Sequence, residues 1–375
     1  MPEPFKAVFN RDLVAAIGHH LARHDSAFDA DRFCALAGAG LDDLELKARS
    51  AQITAALEAC LPADFPRACT LLIAALAPHP EGARADAQGL RGWAIMPMAD
   101  FVAARGLDHF DLSMRTLAAM TSRFTSEGAV RPFIAADSER AMTWLLDWAG
   151  SPDPHVRRLA SEGSRPRLPW FMQLRVFVAD PAPLLPLLTR LRDDPSEYVR
   201  RSVANNLNDI AKDHPDLVAA IAADWMAEAS PERARLIRHA CRTLIKQGHP
   251  EALAALGFSP AQVALEALLV RTPVVRFGGA LDFEAVLVSR GSAPQRIALD
   301  YIVHHVKGSG ETRPKVFKWK VLTLKPDASL TLVRRHPMRP ITTRRYHDGL
   351  HRVEIVANGR VLGSAAFRLT GAGGA

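Results

Sequence analysis

The sequence has only four cysteines, at positions 34, 60, 69 and 241, and they form neither a CxxC pair nor a cluster with histidine. Buried, reduced thiols are therefore expected, and neither a disulfide framework nor a metal site is predicted. No apolar run is long enough to cross a bilayer, and the first residues, MPEPFK, lack the hydrophobic region of a signal peptide. These absences predict a cytoplasmic protein without a membrane partner.

The common signatures of several enzyme classes are also missing. The chain contains no Walker sequence, no HExxH and no GxSxG, and Gly278-Gly279 does not form a phosphate loop. His19-His20 and His304-His305 are adjacent pairs. Neighbouring side chains on a helix or strand point apart, so neither pair predicts a metal site. No cofactor is predicted.

Charge is present but unevenly distributed. Residues 1–150 contain 14 Lys and Arg against 19 Asp and Glu, whereas residues 151–260 contain 15 against 13. Residues 261–375 contain 18 against 8, a net charge of +10. A basic region of this kind favours a polyanionic partner, of which nucleic acid is the most common. A basic domain that is merely soluble is the alternative.

Residues 1–257 have helical periodicity with repeated segments. Val156-Arg157-Arg158 recurs 43 residues later as Val199-Arg200-Arg201, and Ile237-Arg238-His239 follows after another 38. Such spacings are typical of HEAT-like repeats, in which two-helix units stack into a solenoid. The buried stripe of the second repeat is predicted to consist of Val199, Val203, Leu207 and Ile210, which leaves Arg200, Arg201 and Asp209 away from its centre.

The pattern changes to short strands after Gly257. Alternating or β-branched segments are separated by turn residues, and Asn358-Gly359 is a strong two-residue hairpin signal. The predicted fold class is therefore multidomain: an all-α HEAT-like repeat solenoid, residues 1–257, followed by an all-β immunoglobulin-like sandwich, residues 258–375. The predicted strands lie within 283–288, 297–303, 317–324, 353–356 and 361–367.

Acidic residues recur beside arginines in the repeats. Glu127 and Glu162 each follow Ser and precede Gly, with an Arg-Pro pair a few residues later. Asp209 ends the sequence NNLND in the next repeat. A solvated pair of Glu162 with Arg158, four residues earlier, is the alternative for Glu162. Two matching sites beside arginines favour a functional role, because carboxylates can stabilise a developing cation.

Arginines recur through three repeats, and their planar forks suit phosphate oxygens. Trp170 follows Leu168-Pro169 and is either a core residue or one that stacks on a sugar or base. A charged solvent face is the alternative for any single arginine. The candidate DNA-binding arginines are Arg157, Arg158, Arg165, Arg167, Arg200, Arg201, Arg238 and Arg242.

Taken together, residues 159–170, 198–209 and 236–244 resemble the AlkC branch of the HEAT-like repeat DNA glycosylases. Residues 299–307 and 314–318 and the Asn358-Gly359 hairpin resemble the Ig-like domain that some members carry. The resemblance implies base excision repair of double-stranded DNA, by hydrolysis of the N-glycosidic bond of alkylated cationic bases such as 3-methyladenine and 3-methylcytosine. It also implies that the lesion is not buried in a tight base pocket, unlike in most glycosylases.

By the same resemblance, Glu127, Glu162 and Asp209 are the acidic residues near the lesion, Trp170 contacts the DNA backbone there, and the Ig-like domain binds DNA. A cationic base leaves without being protonated, so the enzyme needs negative charge near the sugar and a group that orients water. We assign the first role to Glu162 and the second to Asp209 and Glu127.

The motif contains no lysine nucleophile, so strand cleavage through a Schiff base is not predicted. We expect a monomer associated with the bacterial nucleoid through DNA. A non-catalytic repeat protein that recognises DNA structure or scaffolds protein partners is the alternative from another class. A glycosylase for bulkier lesions is a third possibility.

Overall fold

A computed structural model describes residues 5–78, 88–341 and 344–372. The chain divides into two units, residues 1–213 and 214–375. None of the helices in the described ranges is long and apolar enough to cross a membrane.

The first unit is helical. Two of its helices, α4 and α9 in the numbering below, begin where an aspartate caps the first turn beside a proline. Asp153, for example, accepts a hydrogen bond from the backbone N–H of His155 and is followed by Pro154. The helices are α1 (Arg11–His24), α2 (Ala30–Gly38), α3 (Leu46–Cys60), α4 (Phe65–Ala74), α5 (Ile95–Arg105), α6 (Phe110–Thr121), α7 (Arg131–Ala136), α8 (Ser138–Trp148), α9 (Pro154–Gly163), α10 (Arg175–Ala179), α11 (Leu185–Leu191) and α12 (Glu197–Ile210).

Helices α9 and α12 carry the repeated Val-Arg-Arg triplet, and they pack against each other. The predicted apolar stripe of α12 is buried along its whole length, from Val199 to Ile210. Asp209 is also buried, with only 1% of its surface exposed, although the periodicity placed it away from the stripe. Its burial follows from two cationic partners, which are described below.

The second unit begins with α13 (Pro215–Met226), α14 (Pro231–Ala240), α15 (Arg242–Gln247) and α16 (Pro250–Ala255). Its strands are β1 (Val263–Val270), β2 (Val274–Arg276), β3 (Ala280–Ser289), β4 (Gln295–Val306), β5 (Thr312–Leu324), β6 (Ser329–Pro337), β7 (Gly349–Ala357) and β8 (Arg360–Thr370). The change from helices to strands thus falls between Ala255 and Val263. The boundary between the two units falls after residue 213, because α13–α16 are grouped with the strands. The predicted domain limits, 1–257 and 258–375, therefore stay a prediction.

Within the described residues, the strands form two sheets, ordered β1-β3-β6 and β2-β8-β7-β4-β5. Alternate residues of both sheets, such as Phe283, Leu299, Tyr301 and Ile355, meet in one apolar core. Strand β5 stands at the end of the five-stranded order, so it is an edge strand, a position at which charged side chains are common.

The predicted Asn358-Gly359 hairpin joins β7 to β8. Both residues have positive φ, 45° for Asn358 and 80° for Gly359, as a type I′ turn requires. The side chain of Asn358 also accepts a hydrogen bond from the N–H of Ala298 at 2.7 Å. A Cβ atom on Gly359 would lie 2.5 Å from the backbone of Gly248, so this turn packs closely against the end of α15.

Candidate active site

Three predicted acidic residues lie in one network with two arginines. Glu162 lies in the last turn of α9, Asp209 near the end of α12, and Glu127 in the loop before α7. Arg165 donates to Glu162 Oε1 from Nη1 at 2.5 Å and to Asp209 Oδ2 from Nε at 2.8 Å. Arg158 donates to Glu127 Oε2 at 2.5 Å and lies 3.8 Å from Glu162 Oε1. Carboxylates and cations therefore alternate through the site.

Two further contacts complete the network. Lys212 Nζ donates to Asp209 Oδ1 at 2.7 Å, so both oxygens of Asp209 accept hydrogen bonds. Thr125 Oγ1 donates to Glu127 Oε2 at 2.5 Å. The cation contacts of Glu162 are all made through Oε1. Within the described part of the chain, Oε2 is thus the oxygen of Glu162 that is left for water or a ligand.

The two central arginines remain charged despite their burial. Burial alone would lower the pKa of Arg158, but the charges of Glu127 and Glu162 outweigh it and raise that pKa. Arg165 follows the same pattern: burial lowers its pKa, while Glu162 and Asp209 raise it above its usual value. The solvated helix pair considered for Glu162 is therefore only part of its environment, because Glu162 is buried, with 5% of its surface exposed.

Close packing explains the glycine in each of the two Ser-Glu-Gly motifs. A Cβ atom on Gly128 would lie 2.0 Å from the ring of Phe171, and one on Gly163 would lie 2.5 Å from Val130 Cγ1. Glycine at both places lets the segments that carry Glu127 and Glu162 pack closely against their neighbours.

Trp170 lies in the loop between α9 and α10, and it is not a core residue. Its side chain is exposed, at 63%, and its backbone has a φ of 73°, which is unusual for a residue other than glycine. Its carbonyl accepts a hydrogen bond from Lys47 Nζ. An aromatic ring that is held on the surface by an unfavourable backbone conformation is a candidate for ligand contact.

Arg131 fixes this loop and was not identified as a site residue from the sequence. It is fully buried, and its guanidinium donates to the carbonyls of Gly163, Arg165 and Met172, each at 2.8 Å. Burial and the nearby charge of Arg165 lower its pKa to about 10, so it is still cationic at neutral pH. The signal was available, because Arg131-Pro132 and Arg165-Pro166 are the matching Arg-Pro pairs that follow the two Ser-Glu-Gly motifs.

A cleft of about 440 Å³ lies beside Trp170. Its residues include Lys47, Ser50, Met96, Asp100, Trp170 and Phe171. Burial raises the pKa of Asp100 to about 6, although a hydrogen bond from Ser50 opposes the shift. Sequence reasoning missed Asp100, because no motif surrounds it.

The other predicted arginines of the first unit bind the protein itself. Arg157 makes a two-bond pair with Asp194, at 2.6 and 3.0 Å, and Arg167 makes one with Asp213, at 2.7 and 2.7 Å. Arg200 donates to the carbonyls of Asp194 and Pro195, at 2.5 and 2.9 Å. Their DNA-binding roles stay predictions.

The remaining arginines are more accessible. Arg201 is exposed and lies 3.0 Å from Glu197. Arg238 lies in the last turn of α14 in the second unit and is exposed. Arg242 begins α15 and donates to the carbonyl of His239 at 2.8 Å. The structure therefore brings Glu127, Glu162, Asp209, Arg158 and Arg165 together, and describes Arg238 and Arg242 in a separate unit.

Two protein families match parts of the chain. Residues 264–371 match the C-terminal Ig-like domain of the uncharacterised protein YhaZ, and residues 184–214 match the HEAT repeat. The second match covers α11 and α12, which carry Arg200 and Asp209.

Two relatives match nearly the whole chain. The uncharacterized protein YhaZ of Bacillus subtilis (strain 168) is 36% identical over 368 residues, which cover 97% of this chain and 99% of that protein. The alkylpurine DNA glycosylase AlkC of Pseudomonas fluorescens, solved bound to DNA containing an abasic site analog, is similar in structure, with a TM-score of 0.88. It is 38% identical, and the match covers 98% of this chain and 99% of that chain. With identity of this level over both its helical and its Ig-like parts, this chain belongs to the AlkC family of HEAT-like repeat DNA glycosylases, so the family and the fold class predicted from the sequence are confirmed.

Proposed function

We propose that this protein is a monofunctional DNA glycosylase that hydrolyses the N-glycosidic bond of cationic N-alkylated bases, such as 3-methyladenine and 3-methylcytosine, in double-stranded DNA. The observation that carries the proposal is the buried network of Glu127, Glu162 and Asp209 held by Arg158 and Arg165. The family relationship supplies the reaction class, because the AlkC relative is an alkylpurine DNA glycosylase.

The chemistry requires charge stabilisation more than proton transfer. A base methylated at N3 already carries the positive charge that a leaving group needs, so departure requires no general acid. The sugar then develops oxocarbenium character, which a nearby carboxylate stabilises. Because the arginines fix Glu162 beforehand, the carboxylate needs little reorganisation as the charge develops.

The contacts divide the acidic residues into two roles. Glu162 and Glu127 each accept their cation contacts through one oxygen, so the other oxygen of each can face the sugar or a water. Both oxygens of Asp209 are bound by Arg165 and Lys212. We therefore assign the sugar to Glu162 and water to Glu127. In place of the water-orienting role given to Asp209 from the sequence, we treat Asp209 as a positioning residue that acts through Arg165.

The same contacts argue against a covalent amine mechanism. Lys212 is the lysine nearest to the carboxylates in sequence, and its Nζ donates to Asp209. An ammonium group has no lone pair with which to attack the sugar. The expected product is therefore an abasic site in an intact strand.

The proposal is tested by base release from N-methylated duplex DNA under single-turnover conditions. Glu162→Gln keeps the shape and removes the charge, so we expect the rate to fall by about 100-fold or more. Strand breaks should form only after alkali treatment of the product.

The matched control is Glu197→Gln, which makes the same change at an exposed residue paired with Arg201. It should release base at the wild-type rate. Thermal unfolding of both variants identifies any general loss of folding. Full activity of Glu162→Gln would overturn its assigned role, and no release by the wild type, with tight DNA binding, would favour the non-catalytic alternative.

A further inference from the structure

The second unit contains a strongly cationic cavity of about 410 Å³ at one end of its larger sheet. The cavity lies near the turn that joins β4 to the edge strand β5, and the segment that begins at Arg344 also lines it. Its lining includes His305, Lys307, Arg313, Lys315, Arg344 and Arg345.

Strand pairing explains how these side chains converge. His305 on β4 is directly opposite Arg313 on β5, and Val303 is opposite Lys315. Arg313 and Lys315 are two residues apart, so they lie on the same face of the edge strand. Because both side chains are exposed, a large partner can reach them.

The charges around the cavity are almost entirely of one sign. Its lining includes five cationic residues and no carboxylate. Outside the lining, Glu311 lies 3.2 Å from Lys307. Asp348 follows His347 in the chain, but its two oxygens accept from the backbone N–H groups of Gly371 and Ala372.

His305 keeps the charge of Arg344 unbalanced. Arg344 Nη1 lies 2.6 Å from His305 Nε2 and donates to it, which requires an unprotonated Nε2. Burial, with the neighbouring charge of Arg344, lowers the pKa of His305 to about 3, so the ring is neutral at physiological pH. Among the described residues, its Nδ1 has no hydrogen-bond partner. A neutral imidazole thus orients the guanidinium without cancelling its charge.

We propose that this cavity is a phosphate subsite, and that it takes a backbone phosphate of the DNA duplex. The inference rests on the proposed function for the choice of DNA as the source of the phosphate. Arginine forks match phosphate oxygens, and the residues that line the cavity include no Trp, Tyr or Phe ring.

The test compares two double variants of the full chain. Arg313→Ala/Lys315→Ala removes two exposed cations from the cavity. Arg290→Ala/Lys325→Ala removes the same charge from exposed positions, and Lys325 lies roughly 40 Å from Arg313 at the strand rise of about 3.3 Å per residue. DNA affinity is measured at several salt concentrations by fluorescence anisotropy, with thermal unfolding as a check on folding.

We expect the cavity variant to bind DNA more weakly and to lower the slope of log K against log salt by about 0.9 for each phosphate that the protein no longer neutralises. The control should change the slope by less than half as much. An unchanged slope in the cavity variant, or an equal change in the control, overturns the proposal.

Two further measurements are needed. The first identifies the source of the phosphate, and the second distinguishes failure of this proposal from failure of the proposed function. Inorganic phosphate is titrated calorimetrically into the wild type and the cavity variant. Saturable binding that disappears in the variant, with an unchanged DNA slope, would assign the cavity to a small anion and overturn the DNA source. Base release is measured at saturating protein: if the wild type releases none while the cavity variant still changes the slope, the glycosylase proposal fails and the subsite stands.

Discussion

Arg165 and Arg344 show how differently the two units use the same side chain. Arg165 donates to the carboxylates of Glu162 and Asp209, so its charge is balanced within the protein. Arg344 donates to the neutral ring of His305, so its charge is not. We therefore expect the partner of an arginine, rather than its presence in a repeated motif, to decide whether it positions catalytic groups or attracts a phosphate.

The largest expected effect, on the free energy of unfolding, comes from replacing Arg165, whose charge is balanced by two carboxylates. Arg165→Met leaves two buried carboxylates with less opposite charge, which should lower the free energy of unfolding by about 3–5 kcal/mol. Base release should also fall, because Glu162 is no longer fixed in position. Urea unfolding and single-turnover base release measure the two effects.

Arg201→Met is the matched control for the change in the free energy of unfolding. Arg201 pairs with Glu197 at the surface, where such pairs contribute about 1 kcal/mol or less. Equally small losses in the two variants would show that the buried network contributes no more than a surface pair.

A smaller effect, on DNA affinity, is expected from replacing Trp170. It distinguishes binding through ring stacking from binding through charge. Trp170→Ala should weaken DNA binding by about 1–3 kcal/mol because the stacking surface is removed. Its side chain is largely exposed, so the free energy of unfolding should change little. Because indole is uncharged, the salt slope should stay at the wild-type value, in contrast to that of the cavity variant.

Trp170→Phe is the control, since it keeps a ring at the same place and should keep most of the affinity. Wild-type affinity in Trp170→Ala would assign the exposed ring a role other than DNA contact.

Local sequence patterns predicted much of the fold. The Asn358-Gly359 turn depends on residues that are adjacent in the chain, so its signal is visible in the sequence. The predicted strand segments lie within β3, β4, β5, β7 and β8. Strands β1, β2 and β6 were not singled out. The sequence of β1, VALEALLV, is rich in Ala and Leu, which favour helices, and β2 has only three residues.

The candidate site was only partly predictable. Glu127 and Glu162 were found because Ser-Glu-Gly occurs twice, and Asp209 because it ends NNLND, but apart from Arg158 beside Glu162 their partners were not. The pairs Arg157–Asp194, Arg165–Asp209 and Arg167–Asp213 join residues 37 to 46 positions apart. No local rule gives such pairings; they depend on how one repeat packs on the next. Arginines predicted to face phosphates therefore bind carboxylates in the structure.

Two buried histidines, His305 in the lining of the cationic cavity and His336, give the smallest expected effect, which is on stability as a function of pH. Burial lowers the pKa of His305 to about 3 and that of His336 to about 4, and the charge of Arg344 adds to both shifts. Both rings are neutral in the folded protein, whereas in the unfolded chain they titrate near the ordinary value of about 6.5. Below that pH the unfolded state binds more protons, so the stability that these rings contribute is complete above about pH 6.5 and is lost as the pH falls toward 4 and 3.

Each proton taken up on unfolding changes the free energy by at most about 1.4 kcal/mol per pH unit, and solvent that reaches the cavity reduces this further. Amide hydrogen exchange in β4, corrected for intrinsic rates, should therefore show lower protection free energy at pH 5.5 than at pH 7.5. His336→Gln removes one titrating ring and should make the decrease smaller. Equal protection at the two pH values would mean that the rings are not held neutral, and the argument that His305 leaves the charge of Arg344 unbalanced would fail with it.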